Sequence, residues 1–364
     1  MQFGTSSVAD ITRDPVSGVL PTEAGRMADA LRIAKRTEEV GLDLFALGEH
    51  HSQAFYSSCP AVILAAVAAQ TTTIALSTVM TLITLHDPVC LAEDYATLQH
   101  LSQGRLDIMV GRDNVGPTRA WIRAEVESAM DIAVEHYDLL HQLWREDHLD
   151  WEGQYRAPLV DYTAMPRPLD GVPPYVWFGS FAGPEVAEQA GYYGQGFFTA
   201  SVSQPVTDLR TVVTAYRESY EKYGHGRADQ AIVGAGGQVF VAKTSQAAFR
   251  QFEPYFRASR IYNRGLTLAE SVGTTPLTVG SPQQVIEQIL GYRESYGDYQ
   301  RHLFLVDYAG VPGDVALEQV ELLGTEIVPV LRAEFDRLRP AGVPAGPPSH
   351  ADLVRQARAG SAGE

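Results

Sequence analysis

Short apolar runs bounded by turn residues alternate along this chain with longer stretches whose apolar positions recur every three or four residues. The run QFGTSSV (2–8) predicts a strand, and a helix follows from about Thr22 to Val40 with Met27, Ala30, Leu31 and Ala34 along one face. Thr22 is placed to cap its start and Gly41 to stop it. The two-part pattern repeats as strand LDLFALG (42–48), helix 60–70, strand TIALSTVM (73–80), helix 88–102 closed by Gly104, and strand RLDIMVG (105–111). A long helix near 123–146 leads to strand YVWFGS (175–180), helix 184–191, strand GFFTA (196–200) and a helix near 205–223. Strands QVFVA (238–242) and HLFLV (302–306) and a helix over 316–335 complete the series.

Strands separated almost throughout by helices predict a parallel sheet with crossover connections, and eight of them suit a single closed (β/α)8 TIM-type barrel. An open doubly wound sheet is the competing α/β arrangement, but no strand here leads into a G-x-G-x-x-G turn. Two Pro- and Gly-containing excursions, 147–174 and 253–282, break the rhythm and are expected as insertion segments at the C-terminal face, covering the site. Residues 1–335 therefore read as one barrel domain, and the Pro, Gly, Ala and Ser mixture of 336–364 reads as a disordered tail.

Charge then narrows the partners. The 364 residues carry a formal net charge of −16, which argues against a nucleic-acid partner, since phosphate binding needs a basic face. No apolar window is long enough to span a membrane, and the first residues lack the basic and apolar regions of a secretory signal, so a cytoplasmic, membrane-free protein is expected. Cys59 and Cys90 are the two cysteines and form no C-x-x-C pair, which argues against a disulfide framework and a thiolate zinc site.

The reactive end of such a barrel is the C-terminal end of its strands. There the second strand delivers Glu49, His50 and His51. An acid–base reading needs one imidazole facing the pocket, with Glu49 beside it to set its charge and tautomer. A second reading makes all three ordinary polar residues satisfying a strand end. A metal reading is the weakest, because adjacent residues leaving a strand point to opposite sides, and no metal is expected. The fourth strand ends in Gly111 and Arg112, and an arginine there meets either an anion such as phosphate or a structural carboxylate. Gly179, Ser180 and Phe181 form a glycine-flanked turn into a helix, whose N–H groups suit the same anion.

The stretches GLDLFALGEHH and HDPVCLAEDYATLQHLSQGRLDIMVGR strongly resemble the bacterial-luciferase-like flavin monooxygenase family. The likeness continues in order through LLHQLWREDHLDWEGQYR, RPLDGVPPYVWFGS, PEVAEQAGYYGQGFF and VGSPQQVIEQI, covering about residues 1–335. The resemblance implies FMN bound at the C-terminal face, with Glu49 and His50 beside the flavin ring. It implies a non-proline cis peptide at Val79-Met80 against the flavin, and a flavin phosphate held by Arg112 and Ser180. One departure stands out: the family's Gly-Arg-Gly reads Gly-Arg-Asp here, so Asp113 brings a negative charge toward the phosphate.

The expected activity is that of a two-component monooxygenase, in which reduced FMN from a separate flavin reductase meets O₂ as a C4a-hydroperoxide and oxygenates a small organic substrate. His50 would move the accompanying proton. A homodimer is expected from the resemblance. The alternatives are a deazaflavin- or FMN-dependent oxidoreductase that does not oxygenate, a metal-dependent hydrolase, and a non-catalytic member whose flavin binding Asp113 has weakened.

Overall fold

The computed structural model describes residues 1–112, 129–180, 183–200, 204–259, 261–262 and 265–361. Eight parallel strands close a barrel: β1 (Gln2–Ser7), β2 (Leu44–Leu47), β3 (Ala75–Thr78), β4 (Leu106–Gly111), β5 (Tyr175–Gly179), β6 (Gly196–Ala200), β7 (Val233–Val241) and β8 (Arg301–Leu305). Each strand pairs with its neighbours in the chain, and β8 closes onto β1 with Arg301 opposite Gln2. The barrel predicted from the alternation is therefore the barrel observed.

Helices α1 (Glu23–Glu39), α2 (Pro60–Ala68), α3 (Pro88–Leu101), α4 (Ala129–Leu143), α5 (Glu185–Tyr193), α6 (Val206–Lys222) and α7 (Ser245–Ala258) belong to the outer layer. Local chemistry sets their starts: Thr22 Oγ1 accepts from the Gly25 N–H at 3.0 Å, and Asp87 accepts from the Val89 N–H at 2.8 Å. The main core lies between strands and helices, while Leu44, Ala46, Met109, Trp177, Phe198 and Leu303 form a second apolar cluster with residues of the barrel interior.

Strand β7 starts five residues before the expected 238, at Val233. Gly234 and Gly236 hide it, because they carry no side chain to show the alternation. An added Cβ would stand 2.3 Å from Phe198 Cδ2 at Gly234 and 2.5 Å from the Leu303 carbonyl oxygen at Gly236, so close neighbours explain the missing side chains. The helix expected over 316–335 is interrupted: Gly313–Leu322 and Val328–Leu338 are α-helical, with a π turn at Leu323–Ile327 between them. Pro329 has no N–H to offer the carbonyl of Thr325, and the ladder shifts around that gap.

The excursion at 147–174 forms an antiparallel hairpin of Leu149–Trp151 with Leu159–Tyr162. Bonds from Tyr162 to Glu93, Arg156 to Asp87 and Tyr155 to Glu135 pin it along the flank of α3 and α4. It reaches the level of the reactive end only at its tip. The other insertion lies at that end, where Thr278–Gly280 adds a short parallel strand to Val239–Val241 of β7.

Past Phe335 the structure differs from the expectation. The helix continues to Leu338, and His350–Ser361 forms another helix across the base, the N-terminal end of the barrel. Leu353 packs against the apolar cluster of the barrel interior. His350 fills the space above Gly104, where an added Cβ would be 2.8 Å from its ring. Composition suggested disorder, but a few contacts of this kind are enough to fix a segment on a preformed surface. Among the described residues no helix is long and apolar enough to cross a membrane.

Candidate active site at the C-terminal end of the barrel

Strand β2 hands the chain to Gly48, Glu49, His50 and His51 at the reactive end. Glu49 is buried, 3% exposed, and its two oxygens are divided. Oε2 accepts from the Leu82 N–H at 3.0 Å, while Oε1 lies 2.7 Å from Nε2 of His51 and 2.7 Å from Nε2 of His86. Burial pushes the Glu49 carboxyl up, but the His86 hydrogen bond and charge, the His51 bond and the Leu82 N–H together hold it below the usual carboxylate range. Burial likewise pushes His86 down, and Glu49 and the Asp94 charge outweigh it, so His86 is raised. The pair is therefore built to be an anion beside a cation.

The two adjacent imidazoles diverge, as residues leaving a strand must. His51 turns to Glu49, whereas the His50 ring stacks on Phe55 with centroids 4.1 Å apart and 19° between planes. The sequence reading joined Glu49 to His50; the carboxylate's hydrogen bonds instead come from His51, His86 and Leu82. His86 was not foreseen. Its signal was its position, one residue before Asp87, the cap of a helix that starts at the reactive end.

Glu49, His51 and His86 are also the group among the described residues whose ligand atoms all lie within 4.8 Å of one another. Their 2.7 Å contacts are hydrogen-bond distances. Tetrahedral zinc at about 2.0–2.1 Å from each ligand would need separations of roughly 3.3 Å, so the group as it stands is a hydrogen-bonded one.

Val79-Met80 is a cis peptide, at the place the resemblance indicated. Met80 meets two other candidate residues: an added Cβ would be 1.6 Å from its sulfur at Gly111 and 3.2 Å from it at Gly179. Both glycines leave room for this methionine. Arg112 lies beside a small cleft lined by Gly111, Met130, Phe178 and Gln189. The Gln189 Nε2 is buried and has no hydrogen-bond partner among the described residues, so it is a donor aimed at nothing in this part of the protein. Ser180 is held at the end of β5 by its N–H bond to the Phe198 carbonyl, 3.0 Å. Phe181 and Asp113 lie outside the described residues.

A third feature joins the first and last strands. Ser7 Oγ donates to Asp307 Oδ2 at 2.6 Å, and Asp307 Oδ1 is buried with no partner among the described residues. The buried Arg26 nearby donates to main-chain carbonyls, those of Asp10 and Asp307, rather than to this carboxyl. Burial pushes Asp307 up to about 6.

Comparison with known proteins places this geometry in a lineage. In the curated set, an "F420-dependent glucose-6-phosphate dehydrogenase" of Kineococcus radiotolerans is 32% identical over 218 residues, 57% of this chain and 62% of that protein. The chain thus spans about three-fifths of that relative's length. Among solved structures, monooxygenase RslO1 from Streptomyces bottropensis superposes with a TM-score of 0.78 at 23% identity, covering 91% of this chain and 99% of that one. The oxygenating constituent of 3,6-diketocamphane monooxygenase from Pseudomonas putida, solved with FMN, gives 0.72 at 19% identity, covering 90% and 98%. At these identities the two structures speak for the fold. The profile of the luciferase-like monooxygenases matches residues 1–299, most of the barrel and every residue of the reactive end up to β7, and the chain belongs to that family.

Proposed function

We propose that the protein is a luciferase-like oxidoreductase that uses reduced FMN and O₂ to oxygenate a small organic substrate at the C-terminal end of the barrel. The observation that carries this reading is the juxtaposition of a buried Glu49–His51–His86 network with a cleft holding two anion donors, Arg112 and Gln189. The Gln189 amide beside Arg112, without a partner among the described residues, fits a phosphate-bearing group. Arg112, Gln189 and Ser180 would hold that phosphate, and Met80 with the cis peptide would border the ring. Bound reduced flavin would supply the electrons for O₂ chemistry.

The chain's own residues then hold and move a proton. Glu49 keeps His51 oriented through Nε2, and the apolar stack of Phe55 fixes the His50 ring. A separate reductase would deliver the reduced flavin. A two-fold dimer belongs to the same reading, since α2 is apolar around its circumference and leaves Val62 67% exposed; light scattering checks it.

A deazaflavin reading has its own support in curated relatives that are named as F420-dependent. In that case the enzyme would transfer hydride without O₂. Anaerobic titration with reduced FMN, and in parallel with the reduced deazaflavin, decides between them. Tight FMN binding that collapses in Arg112→Ala supports the oxygenase. Preference for the deazaflavin overturns it, as does FMN binding that is indifferent to Arg112. Asp113→Gly tests whether the extra acid lowers the affinity.

A further inference from the structure

The imidazoles at the end of β2 that carry the proposed acid–base chemistry must exchange their protons with water. The Glu49 network has the form of a path. His86 is the most accessible of its members, its side chain 30% exposed, against 13% for the His51 side chain and 0% for the Glu49 side chain. Both imidazoles address the same carboxylate oxygen, Oε1, through Nε2 at 2.7 Å. The other oxygen is tied to the Leu82 N–H, which fixes the carboxylate so that Oε1 faces both rings at once. A carboxylate needed only to neutralise one histidine has no reason to serve two with one oxygen.

We propose that His86, Glu49 and His51 form a proton relay, with His86 as the entry from solvent and His51 as the exit toward the reacting end. It rests on the functional reading only for what the proton is used for; the transfer itself is a property of these three residues.

The transfer balances without any other reactant. Solvent gives a proton to His86 at Nδ1, and His86 releases the one on Nε2 to Oε1 of Glu49. Glu49 passes it to Nε2 of His51 in the tautomer that carries its proton on Nδ1, and His51 releases that Nδ1 proton. Each group ends with the protons it began with, and the imidazoles reset by exchanging tautomers. His86 follows the short helical turn Ile83–Leu85 and precedes α3. Besides Glu49, the acid acting on His86 is Asp94 of α3. The Glu49 and Asp94 charges both favour a cationic His86. His86 is a positioning residue in this scheme, since it acts through Glu49.

The test uses the whole protein with ¹⁵N-labelled histidine, without cofactor or substrate. In the wild type, the ring nitrogens of His51 should report the protonation step of His86, because the two share one oxygen. His86→Gln keeps a donor for Glu49 but cannot pass a proton on. Solvent exchange at His51 Nε2 should slow at least tenfold in that variant. In His86→Ala, added imidazole should restore it through the opened surface position.

Unchanged exchange in His86→Gln overturns the relay, and so does slowed exchange that imidazole fails to rescue in His86→Ala. A stoichiometric metal retained by the purified protein also overturns it, because coordinated Nε2 atoms carry no proton. Failure of reduced FMN to bind would instead count against the proposed function, and leaves the exchange result standing.

Discussion

The two ends of this barrel bury charge in opposite ways. At the base, Arg301 Nη1 donates to Asp107 Oδ1 at 2.9 Å, Ser77 Oγ donates to the same oxygen at 2.6 Å, and Gln2 Oε1 accepts from the guanidinium at 3.0 and 2.8 Å. The guanidinium also lies 4.4 Å over the Trp177 ring. All five residues sit on barrel strands, which leaves them no freedom to part. At the reactive end, Glu49, His51, His86 and Asp307 sit on the connections that follow β2, β3 and β8, and Asp307 keeps one oxygen unmatched among the described residues. Charge locked in strands serves the fold; charge on connections is free to change its protonation.

The largest expected effect is at the base. Asp107→Ala leaves Arg301 buried without its carboxylate and should cost about 3–5 kcal/mol, measured by urea denaturation. Replacing both, with Arg301→Met and Asp107→Leu together, should recover most of that loss, because an apolar pair avoids desolvation. A loss below about 1 kcal/mol for Asp107→Ala would break the contrast between the two ends.

Asp307 should behave in the reverse sense. Its folded pKa, about 6, lies above the ordinary 3.8, so the stability linked to it is full below pH 3.8 and is lost as pH rises through about 6. A shift of about two units corresponds to roughly 3 kcal/mol. Asp307→Asn, neutral throughout, should therefore match the wild type at pH 4 and exceed it at pH 7.5 by an amount of that order. Equal stability at both pH values would show that Asp307 is not strained by its burial.

The same contrast explains what the sequence made legible. The barrel was readable because β2 and β5 carry continuous apolar runs, and β4 one broken only by Asp107, between helices with marked starts such as Thr22. The early part of β7 was not, since Gly234 and Gly236 leave no pattern to see. Glu49, His51 and Arg112 were findable as polar groups at strand ends, where the fold brings chemistry together. His86 and Gln189 were not, because each lies on a different βα unit from its partner and only the closed barrel joins them. The base pair Arg301–Asp107 was invisible for the same reason, its members standing 194 residues apart.

A smaller effect tests whether the base depends on its C-terminal strap. A cavity of about 190 Å³ there is lined by Gln2, Asp107, Tyr175, Pro347, His350 and Leu353 among others. Leu353 is half-buried against the barrel interior, so Leu353→Ala should cost roughly 1–2 kcal/mol, less than a fully buried leucine. Hydrogen exchange over 350–361 should rise with it, while the amides after β2 should not change. Spread of the effect to the reactive end would mean that the two ends are coupled, and the contrast would need revision.

The smallest effect sharpens the comparison most directly, because it sets a base carboxyl against Asp307. Glu38 Oε1, at the end of α1, accepts from the Thr72 N–H at 2.7 Å, the Thr73 N–H at 2.6 Å, the Thr73 hydroxyl at 2.9 Å and the Ile74 N–H at 3.2 Å. Partial burial pushes its pKa up, but the Thr73 and Thr72 N–H groups and the other donors pull it down to about 2. The sign is therefore the reverse of Asp307: its stability is present above 4.5 and is lost as pH falls through about 2. Solvent screens this partly exposed group, so Glu38→Gln should cost only about 1 kcal/mol at pH 7. The deficit should shrink as the pH is lowered, and the two proteins should converge near pH 2. A carboxyl that the base makes easier to ionise and one that the reactive end makes harder to ionise would then shift in opposite directions within one barrel. That result would trace the difference to a balance that burial wins at Asp307 and hydrogen-bond donors win at Glu38.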